Sequence, residues 1–518
     1  MKHVTKQLFS IAMLVSAFAY AKDDVHGTRS VGPAYRTAFT GNGLIQQSNK
    51  CCGESDTFNA NVAFGFEFSH SMSKEKLAKY FTLGDTTSIS FGADAGTAVD
   101  VSSVHFFLPT DHVSTVTFNP KFWAMNADVR LRVGLGELVE GLWLDVDLPI
   151  VHARYDLGLT KSVTTAGTAA IPEEMSPTTL VGTFAYSDPI TALLGDKAVT
   201  GNTLVNAPLT YGKFGAVANG KKTKVGDVHI ALGYDLINKD DAQLGLAVLG
   251  HINGDEVSNA KYVNTPSIGT AGRHGIGARL DGSVRLWENN ETSLSAHLRA
   301  DGAYIFDATV RRSFDFTANG VWSRYLLLKK HDAPNSVTSL VNAINVTSLQ
   351  AKIGKFGVYD VNLMLSLSHC GWEFNAGYNL GGATKEKHSK WVETIAADTY
   401  TFFGLTNGGV TTATADSKNT PTVHIDGSNG TKGTAAANVA IANTAAGLTA
   451  VAITNDLLNK DSGLQPSTMS HRVYGNLGYC YDKNEWMPSF SLGGSAEFSA
   501  DNTSVRTYGV HGTMGISF

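Results

Sequence analysis

Two neighbouring stretches of this chain satisfy one pairing register on both faces at once, which restricts the fold more than any other feature. Val129, Leu131, Val133 and Leu135 lie on one side of an alternating run, with Arg130 and Arg132 on the other. Leu142, Leu144, Val146, Leu148 and Ile150 follow, with Asp145 and Asp147 opposite. A period of two is the mark of a strand between two unlike environments. An antiparallel hairpin around Leu138-Val139 sets Arg130 against Asp147 and Arg132 against Asp145, while Leu131 meets Val146 and Val133 meets Leu144. A one-residue slip exchanges the faces, so a register matching apolar with apolar and cation with anion is strongly specified.

The construction recurs. Val228, Ile230, Leu232, Tyr234 and Leu236 form an apolar row with Asp227, His229 and Asp235 opposite, and Leu244, Leu246 and Val248 continue it after Lys239 to Asp241. Ile276, Leu280, Val284 and Leu286 turn through Glu288 to Glu291 into Leu294, Ala296, Leu298 and Tyr304. Aligning Leu286 with Leu294 places Asp281 opposite Arg299 and Arg279 opposite Asp301. Val361 to Leu367 pass through His369-Cys370-Gly371 into Trp372, Phe374, Ala376 and Tyr378. Val473, Leu477, Tyr479 and Tyr481 pass through Asp482 to Glu485 into Phe490, Leu492, Ala496 and Phe498. Phe58 to Phe68 and Tyr508 to Phe518 frame the set as single strands.

The apolar faces run for about nine to eleven positions without a charge, the length a tilted strand needs to cross hydrocarbon. A charge there would cost about 2–4 kcal/mol at the midplane. The other face is rich in Arg, Asp, His, Asn and Ser, the inverse of a soluble barrel. The expected fold is therefore all-β: a transmembrane antiparallel β-barrel of about twelve strands, within a range of twelve to sixteen. Short turns alternate with long segments at about 69–120, 159–224, 253–272, 307–354 and 386–469, read as periplasmic turns and external loops. Aromatics mark both strand ends: Trp372, Tyr479, Tyr481 and Trp486 by the short turns, and Phe68, Tyr304, Tyr378, Phe498 and Tyr508 by the long loops.

Lys2 and Lys6, the apolar run Leu8 to Phe18 and Ala19-Tyr20-Ala21 read as a signal peptide over 1–21, before a periplasmic segment over 22–56 and the barrel over 57–518. No other stretch has the ~18 apolar residues of a membrane helix. The formal charge of −5 points neither to nucleic acid nor to an anionic surface. Hydrophobic residues are read as scattered by alternation, without continuous core-type runs.

The chain resembles bacterial outer-membrane β-barrel proteins, general porins among them. The resemblance is carried by the signal peptide, the repeated hairpins and the final strand ending Met514-Gly515-Ile516-Ser517-Phe518. It covers the whole mature chain in architecture, and only the last strand is a specific motif. It implies that Met514, Ile516 and Phe518 are read by the barrel-assembly machinery, that outer-membrane lipid surrounds the strands, and, by analogy with porins, that a homo-oligomer such as a trimer forms.

Motif chemistry is sparse. Gly215 to Lys222 nearly spells a phosphate-binding loop but lacks the Ser or Thr after its lysine, so it reads as a flexible loop, as does Gly427 to Gly433. The sixteen histidines show no metal-ligand spacing, and no cofactor is expected. His229, His297 and His511 face inward with Ser283 opposite His297, a weak case for a hydrolase beside the plain reading of a polar wall. Of four cysteines, Cys51 and Cys52 precede the first strand, while Cys370 and Cys480 reach the same rim, as a disulfide or as two separate thiols. Asp188-Pro189 to Gly195 reads as a capped helix, and Pro334 to Leu349 has a looser helical pattern.

The lumen wall comprises Arg130, Arg132, Arg279, Arg285 and Arg299 against Glu67, Asp145, Asp147, Asp227, Asp235, Asp281, Asp301, Glu373 and Glu497, an excess of 9 − 5 = 4 negative charges. Wall charge sets selectivity in wide pores. The first functional expectation is a porin-like, non-enzymatic channel for passive diffusion of small hydrophilic solutes, mildly preferring cations. A structural or adhesin-like barrel with functional external loops is the alternative, and an outer-membrane hydrolase the third.

Overall fold

The computed structural model describes residues 60–83, 86–92, 100–109, 111–168, 186–197, 199–200, 205–206, 208–317, 319–333, 336–354, 356–402, 442–444, 447–449, 452–481, 486–499 and 502–517. The signal-peptide and N-terminal readings, Phe58, Cys51, Cys52, the 427–433 stretch, the 482–485 turn and Phe518 lie outside the described residues.

Twelve long antiparallel strands close into one sheet. They are β1 (Ala60–Ser71), β2 (Lys121–Gly134), β3 (Leu142–Asp156), β4 (Asp227–Lys239), β5 (Ala242–Asn253) and β6 (Gly275–Asn289). The second half is β7 (Thr292–Ile305), β8 (Phe356–His369), β9 (Trp372–Ala383), β10 (Thr468–Cys480), β11 (Met487–Ser499) and β12 (Thr507–Ser517). Each pairs with its sequence neighbours, and β12 returns to β1 with Asn61 beside Ser517, so no barrel edge is left unpaired. Closure is what lets strands cross lipid, because an unpaired edge there costs several kcal/mol per group.

The faces separate as alternation requires. On β1, Phe64, Phe66 and Phe68 are exposed while Glu67 is buried; on β12, Tyr508, Val510 and Met514 are exposed while His511 is buried. Met514 and Ile516 both point outward. The hairpin register of β2 and β3 pairs Arg130 with Asp147, Arg132 with Asp145, Leu131 with Val146 and Val133 with Leu144. Between β6 and β7, Asp281 meets Arg299 and Arg279 meets Asp301.

Two bulges alter the rows near the short turns. Leu286 is skipped, so Leu294 pairs with Trp287 rather than with Leu286. Leu236 is likewise passed over between Asp235 and Ile237. A bulge adds one residue to one strand and re-aims those beyond it. Arg285 precedes the bulge at Leu286, in register with Ser295, and stays on the wall near the short turns: its Nη1 sits 2.8 Å from Glu288 Oε2 and its Nη2 donates to the Asp240 carbonyl.

The long connections are folded. Leu77, Phe81, Phe91, Phe106, Phe118, Leu193, Phe214, Trp322, Tyr325, Leu328, Ile344, Ile453 and Leu458 belong to one apolar core shared by several loops. Tyr325-Leu326-Leu327-Leu328 is entirely buried, a continuous core run, which corrects the expectation that the chain has none. The core continues into the barrel, where Phe122, Ala124, Val151, Ala153 and Tyr155 at the loop ends of β2 and β3 belong to the same cluster. The external third of that wall is thus dry, and the loops form a cap seated in the mouth.

Pro189–Leu194 is a helix as its signals require: Asp188 Oδ1 accepts from the Thr191 amide, and Gly195 closes it at φ 63°. The 334–349 segment departs from its helical reading. Leu327–Ala333 and Ser336–Asn342 form a hairpin, and only Ala343–Thr347 is helical. The β-branched Val337, Thr338 and Val341 favour the extended form. The Gly215–Lys222 segment is a turn leading into the strand Lys221–Val225, which extends the sheet beside β3. It is therefore structured rather than a flexible loop.

Under the cap, Arg273 Nη1 lies 2.6 Å and Arg312 Nη2 3.6 Å from Glu386 Oε1, all three buried. Burial raises the Glu386 carboxyl, but the two guanidiniums outweigh it and hold the group below its ordinary 4.5. A depressed carboxylate contributes stability that is present above its unfolded pKa and lost as pH falls through the folded one. Cap stability should therefore decline as pH drops below about 4.5. In Glu386→Gln the cap should be weaker at neutral pH, and the gap to wild type should narrow over that acidic window. Limited proteolysis of the loops across a pH series measures both; a gap that stays constant below pH 4.5 would contradict it.

Candidate functional site: the lumen

The lumen wall is built from alternate residues of twelve strands, and charges dominate its middle. Asp301 takes two hydrogen bonds from Arg279, at 2.8 Å from Nε and 2.9 Å from Nη2. Arg299 Nε donates to Asp281 Oδ1 at 2.7 Å. Asp145, on β3 and two intervening strands away from β6, lies 3.4 Å from both Arg279 Nη1 and Arg299 Nη2. Arg132 reaches Asp281 at 3.3 Å and stacks over the Trp143 ring at 4.2 Å. Arg130 sits between Asp128 at 3.0 Å and Asp147 at 3.2 Å.

Asp145 on β3 meets arginines on β6 and β7 only because the wall between is low. Ala231, Gly233, Gly245 and Ala247 face inward on β4 and β5: one row runs from Trp143 through Gly233 and Ala247 to Arg279, while Ala231 pairs with Asp145 and Gly245 with Asp281. Gly233 is required by close approach: a Cβ there would lie 2.2 Å from the Trp143 ring.

A second charge cluster crosses the other half. Arg472 on β10 donates to Glu497 at 2.7 Å and, over two strands, to Glu67 on β1 at 3.0 Å. Beside it, Tyr474 lies flat over Gly377 and donates to Asn362 Oδ1 at 2.7 Å. A Cβ on Gly377 would stand 2.2 Å from the Tyr474 ring, so glycine lets the phenol reach across β9.

Two cavities open in the lumen among the described residues. A vestibule of about 900 Å³ opens among the short turns; Arg132, Trp143, His297, Ser366, Glu373 and Cys480 line its depth or flanks. A smaller space of about 160 Å³ lies towards the cap, lined by Asp227, His229, His251, Asp301, Phe356 and Asp360. Arg299, Asn362 and Tyr474 occupy rows between the two.

Each expected wall residue can now be placed. Arg130, Arg132, Asp145, Asp147, Arg279, Asp281, Arg299 and Asp301 meet in the belt. Glu67 and Glu497 join Arg472, and Glu373 lines the vestibule. Asp227 lies near the cap, 3.0 Å from His251 Nε2. Asp235 accepts from Trp143 Nε1 and Gln243 Nε2, each at 2.9 Å, at the vestibule side. Arg285 lines the vestibule beside Glu288. Sequence reading missed Asp128, Arg472, Tyr474 and Asn362, although alternation places Arg472 and Tyr474 on either side of the outward Val473.

Ser283 faces His297 in register, yet neither ring nitrogen of His297 has a hydrogen-bond partner, so no Ser–His pair forms there. Among the described residues no group of three or more His, Cys, Asp or Glu is arranged to hold a metal.

Cys370 and Cys480 are separate thiols at adjacent strand ends, not the bridge entertained from sequence. Cys370, at φ 49°, turns its exposed Sγ to Glu291 Oε2, 2.8 Å away, while Cys480 is buried. The Glu291 carboxylate raises the Cys370 thiol above its usual value, through its hydrogen bond first. A polar maleimide is expected to label Cys370 and spare Cys480 in the folded protein, with a rate climbing above pH 9; double labelling of folded protein, or none, would contradict this placement.

A closed sheet, an uncharged apolar outer band and a charged interior together settle the architecture. The chain is an outer-membrane-type β-barrel. Solved structures with a similar arrangement include an outer membrane channel from Pseudomonas putida F1, at 11% identity and TM-score 0.35, covering 89% of this chain and 96% of that one. A Pseudomonas aeruginosa FadL homologue gives 7% and 0.24 over 89% and 90%. The translocator domain of autotransporter NalP from Neisseria meningitidis gives 8% and 0.28 over 92% and 95%. No protein-family model and no curated protein matches the sequence.

Proposed function

We propose that this barrel is an outer-membrane channel for passive diffusion of small hydrophilic solutes, with a mild preference for cations. The observation that supports it is two cavities in series within one polar-walled lumen, parted by the layer of Arg299, Asn362 and Tyr474. Carboxylates still outnumber arginines along the wall once Asp128 and Asp360 are added to one side and Arg472 to the other. In a low-dielectric lumen such an excess favours cations. On this reading residues 1–21 direct export, Met514, Ile516 and Phe518 serve assembly, and copies associate in the membrane.

A second reading has its own support. The belt arginines and carboxylates are almost fully buried, and the cap fills part of the mouth, so the barrel would instead be a rigid pedestal for its loops. Single-channel recording of the refolded protein in a planar bilayer, under a salt gradient, separates the two. Stable steps with a cation-sided reversal potential are expected; silence from folded protein would hand the function to the cap.

A further inference from the structure

We propose that the turn-side vestibule is a binding site for small organic polycations, extended chains carrying ammonium groups. This deepens the channel reading by naming the solute class that its inner mouth takes. Three observations converge.

The first is an unmet group at the floor. His297 is 7% exposed, lines the vestibule, and has no hydrogen-bond partner at either ring nitrogen. A buried polar atom without a partner is costly, and a ligand that supplies the missing hydrogen bond offsets that cost. Imidazole can accept through one nitrogen, and an ammonium has three donors and no acceptor.

The second is charge. Glu140, Asp240, Asp241, Glu291 and Glu373 all line the vestibule. Of the lining cations, Arg132 is bound to Asp281 and Arg285 to Glu288, which leaves Lys239. An anion would meet mainly carboxylates, and a neutral polyol would leave their field unused.

The third is spacing. His297 pairs in register with Met364, and Glu373 with Ser368, four positions nearer the mouth along β8. At ~3.3 Å per residue that is roughly 13 Å, the reach of an extended oligoamine rather than of a single ammonium ion. Ser366 and Ser368 lie along the same strand and offer acceptors between the two ends.

Isothermal titration of the refolded full-length protein in zwitterionic detergent with spermidine, and separately with glucose, tests this without requiring conduction. Spermidine is expected to bind, more weakly as salt rises, and glucose not to. Glu373→Gln and His297→Phe should each weaken binding at least tenfold. Because both are buried, an Asp240→Asn/Asp241→Asn variant at the exposed turn supplies a check that leaves the core untouched, and should also weaken it severalfold. Spermidine affinity unchanged in all three variants, glucose binding as tightly as spermidine, or no heat of binding from protein that migrates as a folded barrel would each overturn the site. Binding with no conductance would sink the channel reading and spare the site; conductance without binding would do the reverse.

Discussion

Replacing Arg472 by methionine should destabilise the barrel by about 3–5 kcal/mol, the scale for removing one partner of a buried ionic group. Arg472 is 2% exposed and holds Glu67 and Glu497, themselves nearly buried, at 3.0 and 2.7 Å. Methionine fills similar volume, so the loss reports two carboxylates deprived of the cation they share rather than a void. The remedy follows from the same physics. Adding Glu67→Gln and Glu497→Gln removes the stranded charges, and replacing a whole buried ionic cluster is often neutral. The triple variant should recover most of the loss. Urea unfolding in lipid vesicles, followed by tryptophan fluorescence, measures it; a single-variant loss under about 1 kcal/mol, the scale of an exposed pair, would show that water reaches the cluster.

Tyr474→Ala should have the largest effect on conduction. The phenol bridges β10 to Asn362 on β8 in the layer between the cavities, and it fits only because Gly377 carries no side chain. Removing it should join the vestibule to the upper cavity and produce larger, or newly visible, conductance steps. Tyr474→Phe keeps the ring and loses only the hydrogen bond, so its steps should stay close to wild type. Equal conductance from the alanine variant and wild type would place the constriction elsewhere, in the belt or the cap.

What was legible in the sequence follows the range of each interaction. The pairing of Arg130 with Asp147 and of Arg279 with Asp301 could be read because hairpin partners are close in sequence and both faces vote on one register. The bulges at Leu236 and Leu286 could not, since their residues fit an uninterrupted row equally well. Contacts across the lumen were invisible for another reason. Whether Asp145 reaches Arg279 depends on the side chains of two intervening strands, and the hint was the run of Ala231, Gly233, Gly245 and Ala247 at polar-face positions. The cap is not legible from alternation: Tyr325 to Leu328 buries every residue, which a period of two cannot describe. Cys370 and Cys480 were correctly brought to one rim, but a shared rim does not decide where a thiol points.

The shared core of the cap also imposes an order of events. Leu77 comes from the segment after β1 and Leu464 from the segment before β10, with Phe118, Phe214 and Trp322 from stretches between. Many of these side chains meet across whole strands, because their contacts, Phe118 with Phe214 and Phe106 with Trp322 among them, join segments far apart in sequence. Pairings that distant form late and leave apolar surface uncovered in the meantime. A loop core formed after the strands pair would leave Tyr325 to Leu328 uncovered until then. On that order, the least polar stretches of the chain are the last to be covered.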